Sequence, residues 1–380
     1  MTVTYGSVEC GLAALAPNAP EHLTLLEDSA DALLARHGGI KRVRGYREQR
    51  VGFDPVVWRG MADAGWLGIL VPQCSGGIGL GHLEMCVVAE RLGATLAPEP
   101  FASVAALAIP VIAAADNATL REHLLPKALA GKLVPALAWQ ADGETDLVLD
   151  VATNCLHGRK TLVRPIGGAD GFIVSVNTPD GLALYWIAHD AERLHIDTDL
   201  LTDGGFAGRL TFAGTPAREC LFADSARAGW ALNRAIESAR LAASAELIGV
   251  MKQAFDITRA YLQDRIQFGK PIASFQTVQH RLADLFIAHR LACASVLEAV
   301  RAMDGDADDR TAAAAVSGAK ARCGNAGLTI AREAVQLHGA IGYTDEYDIG
   351  LFLKRTLVLA AWLGNAKFHR RRFASLNPAS

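Results

Sequence analysis

The sequence predicts an α+β chain that is mainly α, with an N-terminal helical domain (1–134), a small middle β domain (135–225) and a C-terminal helical bundle (226–380). Three observations predict this fold class. The first third carries apolar residues in helical order, β-type runs begin after Pro135, and the stretch from Trp230 to Phe268 is almost free of helix breakers. A chain of 380 residues can hold roughly two to three domains with sizeable cores.

The N-terminal and middle domains follow from local patterns. Helical spacing of apolar residues predicts three helices, at Glu21–Arg36, Pro55–Ala64 and Leu83–Leu92. Gly, Pro, Asp and Thr become frequent after Pro135, and short β-type runs at 171–177 and 182–187 predict strands of a small β domain that ends near Ala223.

The C-terminal domain is predicted to consist of long antiparallel helices. The first covers 230–268 and ends at Lys270-Pro271, because proline cannot continue a helix. Ser274 is the expected cap of a second helix that reaches Met303. A polar turn at 304–309 then precedes a third helix, which ends near Leu337.

Composition excludes several classes of protein. The chain is 51% hydrophobic and 20% charged, which is typical of a globular protein rather than a disordered one. A net charge of −3 provides no broad basic field for nucleic acid or for acidic membranes. The local exception, His369–Arg372, is expected to form the last turn of a C-terminal helix, where the helix dipole favours cations.

Cysteine usage and apolar runs suggest a cytoplasmic protein without a membrane insertion. Seven scattered cysteines, none in a C-x-x-C pair, favour a reducing compartment and argue against a zinc site or a disulfide framework. The N-terminus lacks a basic region typical of signal peptides, and the longest apolar run, 104–115, is short and contains Pro110.

Several motifs resemble functional sites but lack the required context. The glycines of Gly77–Gly81 are not followed by alternating strands and helices, so a turn between helices is expected rather than a dinucleotide site. The acidic run that begins at Asp304 has Asp309 and Ala315 where a calcium loop needs Gly and Glu, so a solvated turn is expected. No H-E-x-x-H or G-x-S-x-G motif is present, so no metal site is predicted.

Two C-terminal segments, 265–284 (RIQFGKPIASFQTVQHRLAD) and 336–346 (QLHGAIGYTDE), resemble the two signature segments of the acyl-CoA dehydrogenase family. Segments 66–72, 76–79, 89–93 and 124–131 are similar to the family's N-terminal domain, so the resemblance covers most of the chain. It implies a helical domain, a β domain and a C-terminal four-helix bundle. It also implies a tetramer with FAD lying between domains and reaching a neighbouring subunit.

The resemblance also implies roles for individual residues. Arg265 would pair with the FAD pyrophosphate and Phe268 would pack on the adenosine, because a guanidinium and an aromatic ring suit those groups. A glycine lets backbone approach a cofactor closely, and a glutamine offers an amide. The implied cofactor-binding set is Arg265, Gln267, Phe268, Gln336, Gly339 and Asn365, and the implied substrate-binding residues are Arg240 and Trp362.

The family's catalytic carboxylate is missing at both of its usual places. Family chemistry removes the α proton of an acyl-CoA thioester with a carboxylate while the β hydrogen leaves as hydride to the flavin. The two aligned positions are Leu363 and Ala239, neither of which accepts a proton. Glu246 lies two turns from Ala239 on the same helical face, roughly 10 Å along the axis, and is the candidate base. Glu237 faces away from Ala239 and is a weaker candidate.

Flavin contacts also depart from the family pattern. The stretch Leu137–Asp142 replaces the usual Thr-Glu-Pro run, and 158–163 matches the second flavin-side strand only loosely. Asn365 and Lys367 stand where the family usually has Thr and Gln.

Four functions therefore remain open from the sequence. The first is a homomeric FAD-dependent dehydrogenase of an acyl-CoA that uses Glu246 and passes electrons to an electron-transfer flavoprotein. The second is the base-lacking subunit of an α2β2 heterotetramer, similar to the dehydrogenases of bacterial steroid side-chain degradation; the 338–344 segment followed by 351–355 resembles that subgroup. The third is a non-enzymatic scaffold, and the fourth is a flavin monooxygenase or oxidase.

Overall fold

The computed structural model describes residues 11–16, 20–49, 52–141, 143 and 147–377. The chain forms two compact units: the described parts of Met1–Ile40, His82–Ala97 and Arg240–Ser380 form the first, and those of Lys41–Gly81 and Pro98–Ala239 form the second. Both units combine segments that are distant in sequence. The domain boundaries predicted after residues 134 and 225 stay a prediction.

The first unit is helical, as predicted for both ends of the chain. Helix α11 packs against α10, α12 and α13, and this C-terminal helical bundle is confirmed. The N-terminal helix α5 packs against α2 and α10. The helices of this unit are α1 (Leu12–Leu15), α2 (Glu21–Arg36), α5 (His82–Ala94), the part of α9 (Ser225–Asp264) from Arg240 onward, α10 (Gln276–Asp304), α11 (Asp309–His338), α12 (Ile349–Ala361) and α13 (Ala366–Leu376).

The second unit contains the remaining helices and an eight-stranded sheet. Its helices are α3 (Lys41–Gln49), α4 (Pro55–Asp63), α6 (Phe101–Ser103), α7 (Ile109–Ala114) and α8 (Ala118–Leu129), together with the part of α9 before Arg240. A π-helical turn at Val104–Ala108 joins α6 to α7. This turn lies just before Pro110, which has no backbone N–H to donate to the preceding turn.

The sheet contains the predicted middle strands. The strands are β1 (Pro135–Ala138), β2 (Val148–Asp150), β3 (Cys155–Val163), β4 (Gly171–Thr178), β5 (Gly181–Ala188), β6 (Leu194–Leu200), β7 (Phe206–Pro216) and β8 (Glu219–Cys220). Their order is β6-β7-β3-β2-β4-β5-β8, with β1 also paired to β4. The strands predicted at 171–177 and 182–187 are β4 and β5, which pair in register from Gly171↔Ala188 to Thr178↔Gly181. Phe172, Leu210 and Phe212 lie in the buried core of this sheet.

The predicted helices are confirmed, with shifts at several ends. Helix α9 starts at Ser225 and stops at Asp264 rather than Phe268. The residues that follow form a small hairpin of β9 (Ile266–Gln267) and β10 (Lys270–Pro271), whose ladder bonds replace the helical ones. The glycine-rich stretch 77–81 is a turn before α5, as expected.

Two predictions at helix ends are wrong. Ser274 does not cap α10, because its Oγ donates to the carbonyl oxygen of Pro271 at 2.7 Å and Phe275 occupies the N-cap position. The basic run His369–Arg372 lies in the middle of α13 rather than in its last turn. His369 is fully buried, and the Nη1 of Arg372 donates to the Ser317 hydroxyl at 2.7 Å.

The acidic run that begins at the last residue of α10 caps helices rather than being merely solvated. The Asp304 carboxylate accepts the backbone N–H of His82 at 2.9 Å and thereby caps α5. Asp308 accepts the N–H of Thr311 at 2.7 Å and caps α11. Among the described residues, no three His, Cys, Asp or Glu side chains lie close enough together to hold a metal ion.

One helical stretch, Ile349–Leu376, is apolar and long enough to cross a membrane by length and composition. It consists of α12 and α13, and the chain leaves the helical conformation between them at Trp362. Each half is shorter than the roughly 20 residues that a continuous span requires.

The described cysteines are Cys74, Cys86, Cys155, Cys220, Cys293 and Cys323, all free, whereas Cys10 and Asp142 lie outside the described residues.

Candidate active site

The hairpin after α9 presents an aromatic ring to solvent. Phe268 and Gly269 are the two central residues of its turn, with φ of 54° and 79°. A two-residue turn with both φ values positive matches the right-handed twist of the flanking strands, but the conformation is strained for Phe268. Phe268 is 91% exposed, and its ring lies in an edge-to-face arrangement with that of Phe275, at 6.1 Å between centroids. A large exposed ring on a strained turn is a feature of binding surfaces.

The end of α11 lies beside the base of this hairpin. The His338 ring stacks on Tyr261 of α9 at 4.5 Å, and the Tyr261 hydroxyl donates to the His338 carbonyl oxygen at 3.3 Å. Tyr261 is one helical turn before Arg265, while His338 directly precedes Gly339. The two segments that carry five of the predicted cofactor residues therefore lie close together in the same unit.

These five residues are exposed and offer the groups that an FAD molecule needs. Arg265 supplies a guanidinium, Gln267 and Gln336 supply amides, and Phe268 supplies a ring. Gly339 has φ 64°, and a Cβ placed there would have no neighbour within 4 Å, so the backbone is open to a ligand.

His338 adds a second sign of a ligand beside Gly339. Its Nδ1 lies 2.7 Å from the Ala334 carbonyl oxygen, and its buried Nε2 has no hydrogen-bond partner among the described residues. Because a buried polar atom without a partner is unusual, this end of the unit fits a bound cofactor.

Glu246, the candidate base, is part of a partly buried ion pair. Its side chain is buried, and its Oε1 accepts hydrogen bonds from Arg355 of α12, through Nε at 2.8 Å and through Nη2. Gly93 of α5 contacts the same turn of α9, since a Cβ at Gly93 would lie 2.1 Å from the Glu246 carbonyl oxygen. The carboxylate is therefore held by a guanidinium in a tightly packed helix crossing.

Arg240, predicted to bind substrate, contacts the turn between α12 and α13. Its Nε donates to the Leu363 carbonyl oxygen at 3.3 Å, and its guanidinium lies over the Phe368 ring at 5.8 Å from the centroid. Leu363, at the position aligned with the family's base, is 4% exposed and has φ 60°. Six residues of helix, about 9 Å, separate Arg240 from Glu246.

The other two predicted residues flank the same turn. Trp362 is the C-cap of α12 and is partly buried. Asn365 is the N-cap of α13, where its Oδ1 accepts the N–H of Phe368 at 2.9 Å. Gly364 between them has φ 112°, and a Cβ there would lie 2.5 Å from Phe368 and 2.7 Å from His369. The turn is therefore compact.

Sequence reasoning missed the side chains that hold this site together, Arg355, Lys320 and His369. Lys320 is 1% exposed, and its ammonium donates to three carbonyl oxygens around the turn. Burial lowers the pKa of His369 to about 3, aided by the charges of Arg240 and Lys320, so its imidazole is neutral. Lys320 could have been found from the sequence, because it is the single lysine in the small-residue run 312–321, which forms a buried helix face.

Family models match both ends of the chain. The model described as "Acyl-CoA dehydrogenase, C-terminal domain" matches residues 228–375, and the one described as "Acyl-CoA dehydrogenase, N-terminal domain" matches residues 20–132.

Individual relatives match almost the whole chain. "Acyl-CoA dehydrogenase IpdE2" of Mycolicibacterium smegmatis is 28% identical over 358 residues, which cover 93% of this chain and 97% of that protein. A variant of the Tcur3481-Tcur3483 steroid acyl-CoA dehydrogenase has a solved structure that is 31% identical, with a TM-score of 0.84 over 94% of this chain and 98% of its own. The ChsE4-ChsE5 complex from Mycobacterium tuberculosis is 25% identical, with a TM-score of 0.85 over 95% and 98% of the two chains.

Proposed function

The chain belongs to the acyl-CoA dehydrogenase family, and we propose that it acts in FAD-dependent α,β-dehydrogenation of an acyl-CoA as the subunit of a heteromeric enzyme that lacks the proton-accepting carboxylate. When bound, FAD supplies the acceptor for the β hydrogen. The α proton needs a basic carboxylate in a dry pocket. The proposal therefore depends on where that carboxylate is.

The state of Glu246 carries the proposal. The two aligned base positions are Leu363 and Ala239, so Glu246 is the remaining candidate on that helical face. Its Oε1 accepts two N–H groups of Arg355 in a partly buried pair. A substrate proton on Glu246 would remove the charge from its bonds to Arg355, and because charge-assisted hydrogen bonds are the stronger kind, this proton transfer costs free energy. This cost favours a base that another chain supplies.

The exposed end of the first unit suits a shared cofactor. Arg265, Phe268 and Gln336 are exposed, so they are able to contact FAD that is held largely by a neighbouring chain. In this role Arg265 neutralises pyrophosphate charge, while Phe268 covers the adenosine. Gln267 and Asn365 offer amides to the same cofactor, and Gly339 lets it approach the backbone.

The relatives support the assembly and the substrate class. One solved structure is described as a ChsE4-ChsE5 complex, and another as a steroid enzyme named for two chains, Tcur3481 and Tcur3483. By this similarity, we expect an α2β2 heterotetramer acting on an acyl-CoA with a steroid-derived acyl group. Arg240 and Trp362 are the proposed substrate contacts of this chain, and an electron-transfer flavoprotein is the proposed electron acceptor.

A homomeric enzyme that uses Glu246 is the second candidate, because this carboxylate is buried in the unit that carries the candidate site. Glu246→Gln in the assembled enzyme separates the two. Gln keeps an acceptor for Arg355, so we expect flavin content and flavin reduction by acyl-CoA near the wild-type values, measured by anaerobic stopped-flow absorbance. The exposed variant Glu298→Gln is the control.

The contrary outcome is equally clear. Loss of a general base lowers the rate by about 10²–10⁴-fold. A loss of that size in Glu246→Gln, with flavin and substrate still bound, would assign the base to this chain and overturn the proposal.

A further inference from the structure

The chain turns sharply between α12 and α13, and this leaves carbonyl oxygens without helical donors. In a continuing helix, Leu359 and Ala360 would accept the N–H groups four residues later. The backbone instead leaves the helix at Trp362, with ψ 137°, and Leu363 adopts φ 60°. The carbonyl oxygens of Leu359, Ala360 and Leu363 therefore need hydrogen-bond donors from other parts of the chain.

Lys320 of α11 supplies the donors. Its Nζ lies 2.9 Å from the carbonyl oxygen of Leu359, 3.4 Å from that of Ala360 and 3.2 Å from that of Gly364. An ammonium has three donors, and here three acceptors surround it. The side chain is 1% exposed, and none of its described contacts is with a carboxylate. The negative end of the α12 dipole therefore provides the compensating charge.

Two further side chains hold the fourth carbonyl oxygen, that of Leu363. The Nε of Arg240 donates to it at 3.3 Å, and the Nε2 of His369 lies 3.0 Å from it. Since a carbonyl oxygen only accepts, the neutral imidazole carries its proton on Nε2 and its Nδ1 faces the Ser317 hydroxyl at 3.3 Å. The turn is thus attached to α9, α11 and α13.

We propose that Lys320 is a positioning residue of the candidate active site, which fixes the turn 362–365 and thereby the directions of Trp362 and Asn365. Lys320 binds the carbonyl oxygen of Leu359 before the turn and that of Gly364 within it, so it holds the two ends of this segment together. The consequence for catalysis rests on the proposed function, in which Trp362 contacts substrate and Asn365 contacts cofactor. The effect on the turn does not rest on it.

The test uses ¹⁹F NMR of the full chain labelled with 5-fluorotryptophan. The chain has six tryptophans, and the resonance of Trp362 is assigned from its absence in Trp362→Phe. Lys320→Met keeps the length of the side chain but removes every donor. We expect it to shift or broaden the Trp362 resonance and leave the other five in place. The control Arg322→Met removes an exposed cation two residues away on α11 and is expected to change none.

Lys320→Gln is the second variant, in case Lys320→Met does not fold. It retains two donors, so a smaller change confined to Trp362 is expected. An unchanged Trp362 resonance in a folded Lys320→Met or Lys320→Gln protein would overturn the proposal. So would equal changes in all six resonances, which would mean that Lys320 only stabilises the fold. Neither reading requires flavin or activity, so failure here is distinct from failure of the proposed function.

A titration of the wild-type chain provides a check without substitution. Burial lowers the pKa of Lys320 to about 7, and Arg240 acts in the same direction. Burial lowers the pKa of His369 to about 3 and raises that of Cys323 to about 12, so neither of these groups changes charge near pH 7. Lys320 is therefore the group here that changes charge. The ¹⁹F resonance of Trp362 should therefore move with a midpoint near pH 7, because loss of the Lys320 charge weakens its bonds to the turn.

Discussion

Glu90 of α5 is a fully buried carboxyl group with one hydrogen bond. Its Oε2 accepts the N–H of Leu12 at 2.7 Å, while its Oε1 has no partner among the described residues. Burial raises its pKa to about 7, the charge of Glu27 acts in the same direction, and Arg91 and Lys252 oppose the shift. In the native state Glu90 therefore holds a proton at pH values where the unfolded chain has released it.

Substitution of Glu90 gives a pH-dependent stability test. Glu90 contributes fully to the free energy of unfolding below about pH 4.5. As the pH rises through 7, the wild type loses this contribution, which is up to about 3 kcal/mol for a shift of this size. Glu90→Gln does not titrate. We therefore expect the free energy of unfolding of the variant, measured with urea, to rise relative to that of the wild type between pH 5 and pH 8. A stability difference that stays constant over this range would mean that Glu90 is ionised in the folded chain.

Individual site residues differ in how far the sequence reveals them. Arg265 and Gln336 lie in short local motifs, so their exposed positions could be predicted. The pairing of Glu246 with Arg355 and the contacts of Lys320 join helices that are distant in sequence. No local pattern encodes such pairs, which is why Glu246 was identified as a possible base without its partner.

At the scale of elements, α5 and α9 cross at two glycines. A Cβ at Gly249 would lie 1.8 Å from the Glu90 carbonyl oxygen, and a Cβ at Gly93 would lie 2.1 Å from that of Glu246. The backbones therefore touch at this crossing, and neither position has room for a side chain.

Gly249→Ala tests this close approach. The added methyl group forces the helices apart, so we expect a loss of about 1–3 kcal/mol or more in the free energy of unfolding. In Gly350→Ala of α12, the added Cβ meets no atom within 4 Å. That control should be neutral or up to about 1 kcal/mol more stable, because Ala favours helix over Gly. Equal stabilities in urea unfolding would show that the crossing is looser than described.

The β9–β10 hairpin offers a second test, in which stability and binding change in opposite directions. Asn before Gly is the preferred pair for a two-residue turn with positive φ. Phe268→Asn should relieve strain of about 1 kcal/mol in the turn. It also removes the exposed ring, so we expect less flavin retained per assembled enzyme after gel filtration. The control Leu200→Asn removes exposed apolar surface on the edge strand β6, and unchanged flavin content in Phe268→Asn would exclude a cofactor contact.

The helical and strand elements were largely predictable, because their hydrophobic periodicity is local. Helix α2 has the predicted bounds, and β4 and β5 extend the predicted strands by one or two residues. The errors lie at the ends of elements, where competing hydrogen bonds decide which residue is the cap. The Ser274 hydroxyl, for example, donates to the Pro271 carbonyl oxygen instead of capping α10. The hairpin after α9 was missed because each of its strands has two residues, too few for a period.

At the scale of the whole molecule, the assembly of elements could not be predicted from the residues alone. Strand β4 lies between β2 and β5 and also pairs with β1, with both β1 and β2 parallel to it. The helical unit combines α2, α5 and the C-terminal helices, so its core joins segments from both ends of the chain. Long-range pairing of this kind leaves no mark in a local pattern, and family resemblance supplied the layout instead.

The central claim is that this chain builds only part of an acyl-CoA dehydrogenase site. The most direct measurement is the visible absorption of the chain purified alone and after co-expression with a family member that carries the catalytic carboxylate, followed by anaerobic addition of acyl-CoA. We expect the chain alone to be folded by circular dichroism but nearly colourless, and the co-purified assembly to carry flavin that acyl-CoA bleaches. About one flavin per chain in the protein alone, bleached by acyl-CoA, would contradict the account.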